Sequence, residues 1–223
     1  MNKDKIYYIE KPDINYLEKL KFEHLEKLNL GANDIKDISI LEKVNFKKLK
    51  KLNLRGNLIS NFDLKVFENV KFQNLEKLVL YQNKISNINI LKNIKFKELK
   101  ELNLGENEIS DIRVLERLEF ENLEKLNLSQ NKISNINILE NIKFKELKEL
   151  NLRRNEISDI RALERLEFEK LEILELDYNK ISDISVLEKV NLRHLKLLDL
   201  RNNLISDISI IESKIIKDII RWK

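Results

Sequence analysis

Apolar and polar positions along this 223-residue chain repeat with a period of 24 residues. Each unit has leucine at slots 1, 4 and 6 and asparagine at slot 9, as residues 123–133 show. The slot 9 residues are Asn33, Asn57, Asn83, Asn107, Asn131, Asn155, Asn179 and Asn203. One such unit cannot bury its own apolar face, so the pattern predicts units stacked around a continuous core.

The first half of each unit predicts a strand. Slots 3 to 7 alternate between outward polar and inward apolar residues, which is typical of a strand buried on one side. Strands of successive units must then lie side by side and parallel, about 4.8 Å apart. Asparagine at the strand exit can hydrogen-bond backbone groups where the ladder ends, so we interpret the slot 9 column as structural.

The second half of each unit predicts a short helical turn. Slot 13 is always Asp or Asn, residue types that favour helix N-caps. Apolar residues follow at slots 14, 17 and 20, three apart on one face of the turn. Slot 22 adds an aromatic column, namely Phe22, Phe46, Phe72, Phe96, Phe120, Phe144 and Phe168. Because helical turns are wider than strands, stacking predicts an arc with the strands on its concave side.

No linker interrupts the repeat, so we predict one domain over residues 1–223. Residues 1–24 form a degenerate first unit, residues 25–204 carry eight repeats, and residues 205–223 form a capping helix. The second repeat is two residues longer within residues 61–67. That insertion is either a tolerated bulge on the convex side or a secondary contact site.

This frame resembles the leucine-rich repeat superfamily. The run Asn-x-Ile-Ser-Asp-Ile, as at residues 107–112 and 155–160, is similar to the internalin repeat and to repeats of the regulatory subunit of type-1 protein phosphatase. The resemblance covers residues 13–211. It implies an α/β fold, a right-handed, arc-shaped leucine-rich repeat solenoid with a parallel sheet on the concave side and short helical turns on the convex side. Such repeats bind many unrelated partners, so the resemblance names none.

Composition argues against several classes of function. Lys and Arg number 42 against 38 Asp and Glu, and the signs alternate, so the chain lacks a basic stripe for nucleic acid. It has no cysteine, and His24 and His194 stand seven units apart. We therefore expect no catalytic residue, no cofactor and no metal site. The sequence also shows no signal peptide and no apolar span, so we expect a cytoplasmic monomer without a membrane partner.

Departures from the Lys and Asn background at outward slots 3, 5, 7 and 8 mark a candidate binding surface. These residues are Arg55, Val79, Tyr81, Arg153, Arg154, Glu175, Asp177, Tyr178, Asp199 and Arg201. Tyrosine and arginine are over-represented at interface hot spots, so we expect a protein or peptide partner on the concave face. The alternative is a structural or idealised repeat protein with no specific ligand, which the lack of threonine favours.

The acidic members of this set leave two interpretations open. Glu175, Asp177 and Asp199 could form a cation site. Alternatively, Asp177 could lie between Arg153 and Arg201 in a row of alternating charge along slot 7.

Two further sequence features bear on this surface. Ile173 and Leu197 at slot 3 are either a contact patch or a face covered by the carboxyl-terminal cap. Residues 87–124 and 135–172 differ at five positions, including Gly105/Arg153 and Glu106/Arg154, which suggests duplication of a two-repeat block.

Overall fold

The computed structural model describes residues 6–8, 14–19, 24–166, 168–190, 194–210 and 219–222. In these residues the strands are β1 (Ile6–Tyr8), β2 (Lys27–Asn29), β3 (Lys51–Asn53), β4 (Lys77–Val79), β5 (Glu101–Asn103), β6 (Lys125–Asn127), β7 (Glu149–Asn151), β8 (Ile173–Glu175), β9 (Leu197–Asp199) and β10 (Ile220–Arg221). They form one sheet in sequence order, and every neighbouring pair is parallel.

Short helical turns connect the strands on the opposite side. Within the described ranges, the turns α1 (Ile40–Lys43) and α2 (Val66–Asn69) are α-helical. The described 3₁₀ turns are Ile14–Lys19, Asp63–Lys65, Asn89–Asn93, Arg113–Arg117, Asn137–Asn141, Arg161–Arg165 and Ser185–Glu188. The 3₁₀ form suits apolar side chains three residues apart, because residues i and i+3 then lie directly above one another.

The core lies between the sheet and these turns. Slots 4 and 6 face inward, as Leu126 (2% exposed) and Leu128 (0%) illustrate. The phenylalanine column fills the far end of the core, where Phe96, Phe120 and Phe144 are at most 3% exposed. This arrangement confirms the predicted solenoid, with its parallel sheet on the concave side and its turns on the convex side.

The Asp or Asn at slot 13 lies one residue before the N-cap position that the sequence predicts for it. The Asp111 Oδ1 atom accepts a hydrogen bond of 2.9 Å from the Arg113 N–H, the first residue of its turn. The residue directly before that turn is Ile112, which has no capping side chain. The Asp or Asn at slot 13 therefore closes a small loop over the turn rather than standing at its N-cap.

The two-residue insertion changes this pattern in the second repeat. Asn61 Oδ1 accepts hydrogen bonds from the next unit, at 2.8 Å from Ser86 N and 2.9 Å from Asn87 N. Asp63, the first residue of the 3₁₀ turn of this repeat, accepts the Ser60 N–H on its Oδ2 atom at 2.7 Å. Phe62 is left 80% exposed on this anchored loop.

Both ends of the sheet depart from the predicted frame. The first unit lacks the leucine frame, but β1 still pairs with β2. The predicted helix over residues 205–223 differs from the structure at its end, because Ile220–Arg221 form β10 beside β9. Trp222 is half-buried against the core. Residues 211–218, in the middle of that prediction, lie outside the described residues.

The slot 9 asparagines occupy the strand exits and join neighbouring units. The Asn131 Nδ2 atom donates to the carbonyl of Leu128 in its own unit at 3.0 Å and to that of Leu104 in the preceding unit at 3.1 Å. Its Oδ1 atom accepts the Ile109 N–H at 2.9 Å. One buried amide therefore satisfies backbone groups of two units where the chain leaves the sheet.

Charged side chains alternate in sign from unit to unit along the edge of the sheet. The slot 2 residues are Glu26, Lys50, Glu76, Lys100, Glu124, Lys148, Glu172 and Lys196. Adjacent units form ion pairs at this slot, such as Lys148–Glu124 at 2.7 Å and Lys196–Glu172 at 2.8 Å. The charge pattern thus repeats every two units, which matches the two-repeat block that is duplicated.

We predict that Asn131→Ala lowers the free energy of unfolding by about 1–3 kcal/mol, because buried carbonyl and amide groups lose their partner. Asn127→Ala, on the outward slot 5 of the same unit, is the control and should cost less. Denaturant titration of both variants measures the difference. An Asn131→Ala variant as stable as the parent protein would show that the ladder is dispensable.

We predict opposite salt dependences for deletions of one unit and of two. Deleting residues 123–146 brings Lys100 beside Lys148, so added salt should stabilise this variant by screening repulsion. Deleting residues 123–170 brings Lys100 beside Glu172, so added salt should not stabilise it. Each contact contributes up to about 1 kcal/mol. Chemical unfolding at low and high NaCl measures both, and equal salt responses would contradict the alternating-charge interpretation.

Candidate binding surface

The outward face of the sheet ends in a row of residues with unusual backbone geometry. Slot 8 has a positive φ in each repeat, between 51° and 64°. Its N–H groups still extend the ladder, since Tyr178 N donates to Arg201 O at 2.9 Å. Only Gly56 in this column is a glycine, the residue that adopts this conformation freely. Bulky residues such as Arg154 and Tyr178 are therefore held here at a cost of about 1–2 kcal/mol each.

Tyr81 is the centre of a first cluster, the Tyr81 cluster, made of Arg55, Tyr81, Gly105, Glu106 and Gln130. The Arg55 Cζ atom lies 5.0 Å from the centroid of the Tyr81 ring. The ring leans across Gly105, where an added Cβ would lie 3.0 Å from Tyr81 Cδ2. The Tyr81 hydroxyl accepts a hydrogen bond of 3.0 Å from Gln130 Nε2, two units away.

The Tyr81 hydroxyl also forms a hydrogen bond with the Glu106 carboxylate. A hydrogen bond to the Glu106 carboxylate and burial together raise the pKa of Tyr81. These contacts hold the Tyr81 side chain perpendicular to the strands, so that it extends over neighbouring strands of the sheet. Tyr81 spans three units of the concave surface.

Tyr178 is the centre of a second cluster, the Tyr178 cluster, made of Arg153, Arg154, Asp177 and Tyr178. The Arg154 and Arg153 Cζ atoms lie 4.8 Å and 5.1 Å from the centroid of the Tyr178 ring. The Arg153 Nε atom lies 3.0 Å from Asp177 Oδ2, and Asp177 is only 3% exposed. Tyr178 itself is 42% exposed.

Internal contacts explain the adjacent differences between the duplicated blocks. A Cβ added at Gly105 would lie 2.9 Å from Ser129 Oγ in the next unit and 3.0 Å from Tyr81 Cδ2 in the preceding unit, whereas the slot 7 neighbours of Arg153 are Ser129 and Asp177. Arg153 is then matched by Asp177 in the next unit. The neighbours of Gly105 thus restrict its side chain, and a neighbour of Arg153 pairs with its charge.

The acidic residues beside this cluster are paired one by one. The Arg201 guanidinium binds both oxygens of Asp199, which lies two residues before it. Its Nη2 atom donates to Asp199 Oδ2 at 2.5 Å, and its Nε atom donates to Asp199 Oδ1 at 2.9 Å. Glu175 accepts a hydrogen bond from the Asn151 side-chain amide. Of the predicted row of alternating charge, Arg153 and Asp177 form an ion pair, whereas Arg201 pairs with Asp199 and acts on Asp177 only through its charge.

A metal site finds no support in this geometry. Among the described residues, no group of three or more His, Cys, Asp or Glu side chains is arranged to hold a metal ion. His24 and His194 are both exposed. The acidic residues are instead engaged by guanidinium and amide groups.

The pKa values of these carboxyls follow their surroundings. Burial raises the pKa of Glu175, and the charges of Asp177 and Asp199 raise it further. Burial and the charge of Asp199 also raise the pKa of Asp177, against the opposing effect of Arg153. Burial by itself would raise the pKa of Asp199, but its hydrogen bonds with Arg201 outweigh that effect and lower it.

A trough of about 240 Å³ runs across the middle of the concave face. Its walls are ion pairs at slot 3, such as Lys125–Glu149 at 2.6 Å, and asparagines at slot 5, such as Asn103 and Asn127. The Asn127 Oδ1 atom is occupied by the Ser129 N–H at 2.8 Å. The Asn103 Oδ1 atom is occupied in the same way by the Gly105 N–H, so these two amides offer their N–H groups to the trough.

The structure groups most of the predicted surface residues and adds others. Val79 interrupts the slot 5 asparagines between Asn53 and Asn103 and is half-buried. Ile173 and Leu197 are half-buried register partners, and the predicted cap over them falls largely on residues outside the described part. Sequence reasoning missed the roles of Gly105, Glu106 and Gln130, although a glycine following the slot 7 tyrosine of the preceding unit was a signal of size complementarity.

Comparison with known proteins supports the repeat architecture. A family model described as leucine-rich repeats (2 copies) matches residues 23–66, 73–117, 121–165 and 169–213. No curated protein matches the chain by sequence. Within the described residues, no helix has the length and apolar character needed to cross a bilayer.

Solved structures give the same result. Internalin C2 of Listeria monocytogenes superposes with a TM-score of 0.76 at 25% identity, covering 96% of this chain and 93% of that one. Internalin InlF of the same species has a TM-score of 0.62 at 28% identity, with 91% and 69% covered. The receptor kinase ectodomain GASSHO1/SCHENGEN3 of Arabidopsis thaliana, in complex with Casparian strip integrity factor 2, shares the fold at 22% identity and a TM-score of 0.64, with 98% and 28% covered.

We predict that Glu175→Gln stabilises the protein near neutral pH. A raised pKa in the folded state means that ionised Glu175 disfavours folding, so its contribution to stability is present at low pH and is lost as pH rises through the folded-state pKa. The variant should therefore unfold at higher denaturant than the parent at about pH 7, and the gap should close towards about pH 4. A stability difference that is independent of pH would contradict this assignment.

Proposed function

The chain belongs to the leucine-rich repeat family, and we propose that it is a non-catalytic scaffold that binds a protein or peptide partner on its concave face. Repeat stacking creates the extended concave surface that solenoid proteins use for binding. Support also comes from the plant ectodomain of the same fold, which is seen in complex with a factor of its own.

The observation that carries this proposal is the state of Tyr178. Its ring is 42% exposed, its backbone has a φ of 56°, and it contributes nothing to the core. An aromatic side chain in the left-handed region stores strain that glycine or asparagine would relieve. Retaining tyrosine there is understandable if the ring contacts a partner, because tyrosine is a frequent hot-spot residue.

The two clusters together define an area of suitable size. Tyr81 and Tyr178 belong to units four strands apart, about 19 Å at the usual spacing. A partner that spans both clusters and the trough between them could bury about 800 Å² on this side, which is typical of a specific complex. Because both rings are already held by arginines, little side-chain freedom would be lost on binding.

A structural repeat without a specific ligand is the second candidate. The near-identity of residues 87–124 and 135–172 favours it, since selection for a unique surface would make the blocks diverge. The differences at Gly105 and Glu106 have internal explanations, so they do not decide between the two. The strained and exposed Tyr178 favours the binding scaffold.

We predict that Tyr178→Ala and Arg154→Ala each weaken binding of a natural partner by at least about tenfold. Arg154 is chosen over Arg153, because removing Arg153 would leave the buried Asp177 carboxylate without its cation. The partner would be captured with the unmodified protein, purified, and titrated by calorimetry.

The control for this test is Lys145→Ala, an exposed substitution on the outer side. It should leave the affinity unchanged. Equal losses in all three variants, each shown to be folded, would reject the concave face as the site. Failure to capture any partner under native conditions would favour the scaffold without a ligand.

A further inference from the structure

The carboxylates at the carboxyl-terminal end of the trough differ in how their charges are balanced. The neighbours of Glu175 each contact a cation of the chain, in the pairs Glu149–Lys125, Asp177–Arg153 and Asp199–Arg201. Glu175 instead accepts a hydrogen bond from the Asn151 side-chain amide. Within the part of the chain that the structure describes, no lysine or arginine forms an ion pair with Glu175. Glu175 thus has a neutral amide where its neighbours have a cation.

The charges around Glu175 make its position unfavourable for a carboxylate. Glu175 is the register partner of Asp199 across β8 and β9, and like charges directly opposite one another in a sheet are destabilising. Burial and the charges of Asp177 and Asp199 raise the pKa of Glu175, and the charge of Arg153 opposes them in part. Arg221 lies beyond Asp199, two strands from Glu175. A further cation beside Glu175 would therefore be favourable.

An apolar side chain lies next to this carboxylate. Ile173 lines the trough together with Glu175 and is half-buried. Because the two are separated by one residue on β8, they lie on the same face of the sheet, about 6.7 Å apart. The three preceding units have a charged residue at slot 3 and an asparagine at slot 5, as at Lys125 and Asn127. Strand β8 replaces that combination with an apolar residue and a carboxylate.

We propose that this end of the trough, formed by Ile173 and Glu175, binds a lysine side chain of the partner polypeptide. The inference rests on the proposed function and adds the chemistry of one contact. Lysine packs its apolar stem against apolar surface and keeps its charged end at a polar group. A stem lying over Ile173 would bring the ammonium group to Glu175, since four carbons can span the distance between the two.

The hydrogen bond from Asn151 favours lysine over arginine. It is made to the Oε2 atom of Glu175, which leaves Oε1 for a partner. Arginine binds a carboxylate best through two parallel hydrogen bonds to both oxygens, whereas an ammonium group is a compact charge that needs one oxygen. Asp199 shows the first arrangement within the chain, because one guanidinium occupies both of its oxygens. Glu175 therefore suits an ammonium group.

The lysine site adjoins the Tyr178 cluster, so the two form a continuous surface. Glu175 lies three residues before Tyr178 in the same unit, and Asp177 between them belongs to that cluster. A partner that contacts the exposed Tyr178 ring therefore has the carboxylate within reach. Charge complementarity of this kind contributes more to specificity and to the association rate than to affinity. The lysine would thus help to select the partner that binds at Tyr178.

Fluorescence anisotropy with short labelled peptides tests the proposal on the full chain. The Lys peptide alternates lysine with glycine, and three matching peptides carry arginine, diaminobutyric acid or glutamine in place of lysine. We expect the Lys peptide to bind most tightly, because diaminobutyric acid has the charge without the full stem and glutamine lacks the charge. Added salt should weaken its binding. Equal binding of the Lys peptide and any of the other three would overturn the proposal.

Three variants locate the binding of the Lys peptide. Glu175→Gln should weaken it about tenfold, since a hydrogen bond between charged groups is lost. Ile173→Ala should weaken it about threefold, because the stem loses apolar contact. Glu121→Gln makes the same change in charge at an exposed position outside the concave slots, and should alter binding less than about twofold. Equal losses in the two glutamine variants would mean that net charge alone matters and would overturn the proposal.

A free polyamine is the other source of ammonium groups, and spermidine serves as its probe. We expect spermidine to displace the Lys peptide only at concentrations well above those of an unlabelled Lys peptide, because it lacks the peptide main chain. Displacement at equal or lower concentrations, lost in Glu175→Gln, would assign the site to small amines and overturn the proposal.

Measurements on a captured partner separate this inference from the proposed function. Glu175→Gln should weaken the partner as it weakens the Lys peptide. If neither is weakened by Glu175→Gln but Tyr178→Ala still weakens the partner, the lysine contact alone fails. If the Lys peptide depends on Glu175 while neither Tyr178→Ala nor Glu175→Gln affects the partner, the concave face is rejected as the partner's site and the assignment to a partner lysine fails with it.

Discussion

The fold depends on satisfying backbone groups at the place where each strand ends. The chain must leave the sheet after slot 8, and the slot 6 carbonyls there face the core, where water cannot reach them. The slot 9 asparagine resolves this with one side chain, because its Nδ2 group donates to slot 6 carbonyls of two units and its Oδ1 accepts an N–H of the preceding unit. The left-handed backbone at slot 8 aims the asparagine inward. The identity of slot 9 and the strain at slot 8 are therefore parts of one solution.

A repeated fold has to specify its register as well as its shape. Units that follow one another every 24 residues have nearly the same core residues, so the leucines cannot distinguish one neighbouring unit from the next. Alternating charges at slot 2 supply part of that distinction, because a unit placed one step out of order would meet its own sign. Exposed pairs are individually weak, and their effect is discrimination between pairings more than absolute stability.

Some residues of the concave face form ion pairs within the chain, and others remain exposed. Asp177 is matched by Arg153, and Asp199 by Arg201, so these charges preserve the surface in the free protein. Tyr178 and Arg154 remain exposed around a strained turn. The proposal of a binding scaffold rests on this second kind of residue, because internal packing already explains the first.

Sequence alone determined the architecture, the inward slots and the aromatic column. A unit of 24 residues cannot bury its own leucines, so the units must stack on one another. It also identified Tyr81, Tyr178 and the arginines beside them, since each breaks a column. Tertiary structure decided which of these touch: Tyr81 reaches Gln130 two units away, and Arg201 binds Asp199 rather than Asp177. These contacts depend on side-chain length, on backbone φ and on the space at Gly105. Such effects act between units and do not appear in the periodic pattern of the sequence. The strand at Ile220–Arg221 was likewise settled by pairing with an open sheet edge, where backbone hydrogen bonds outweigh a helical spacing of isoleucines.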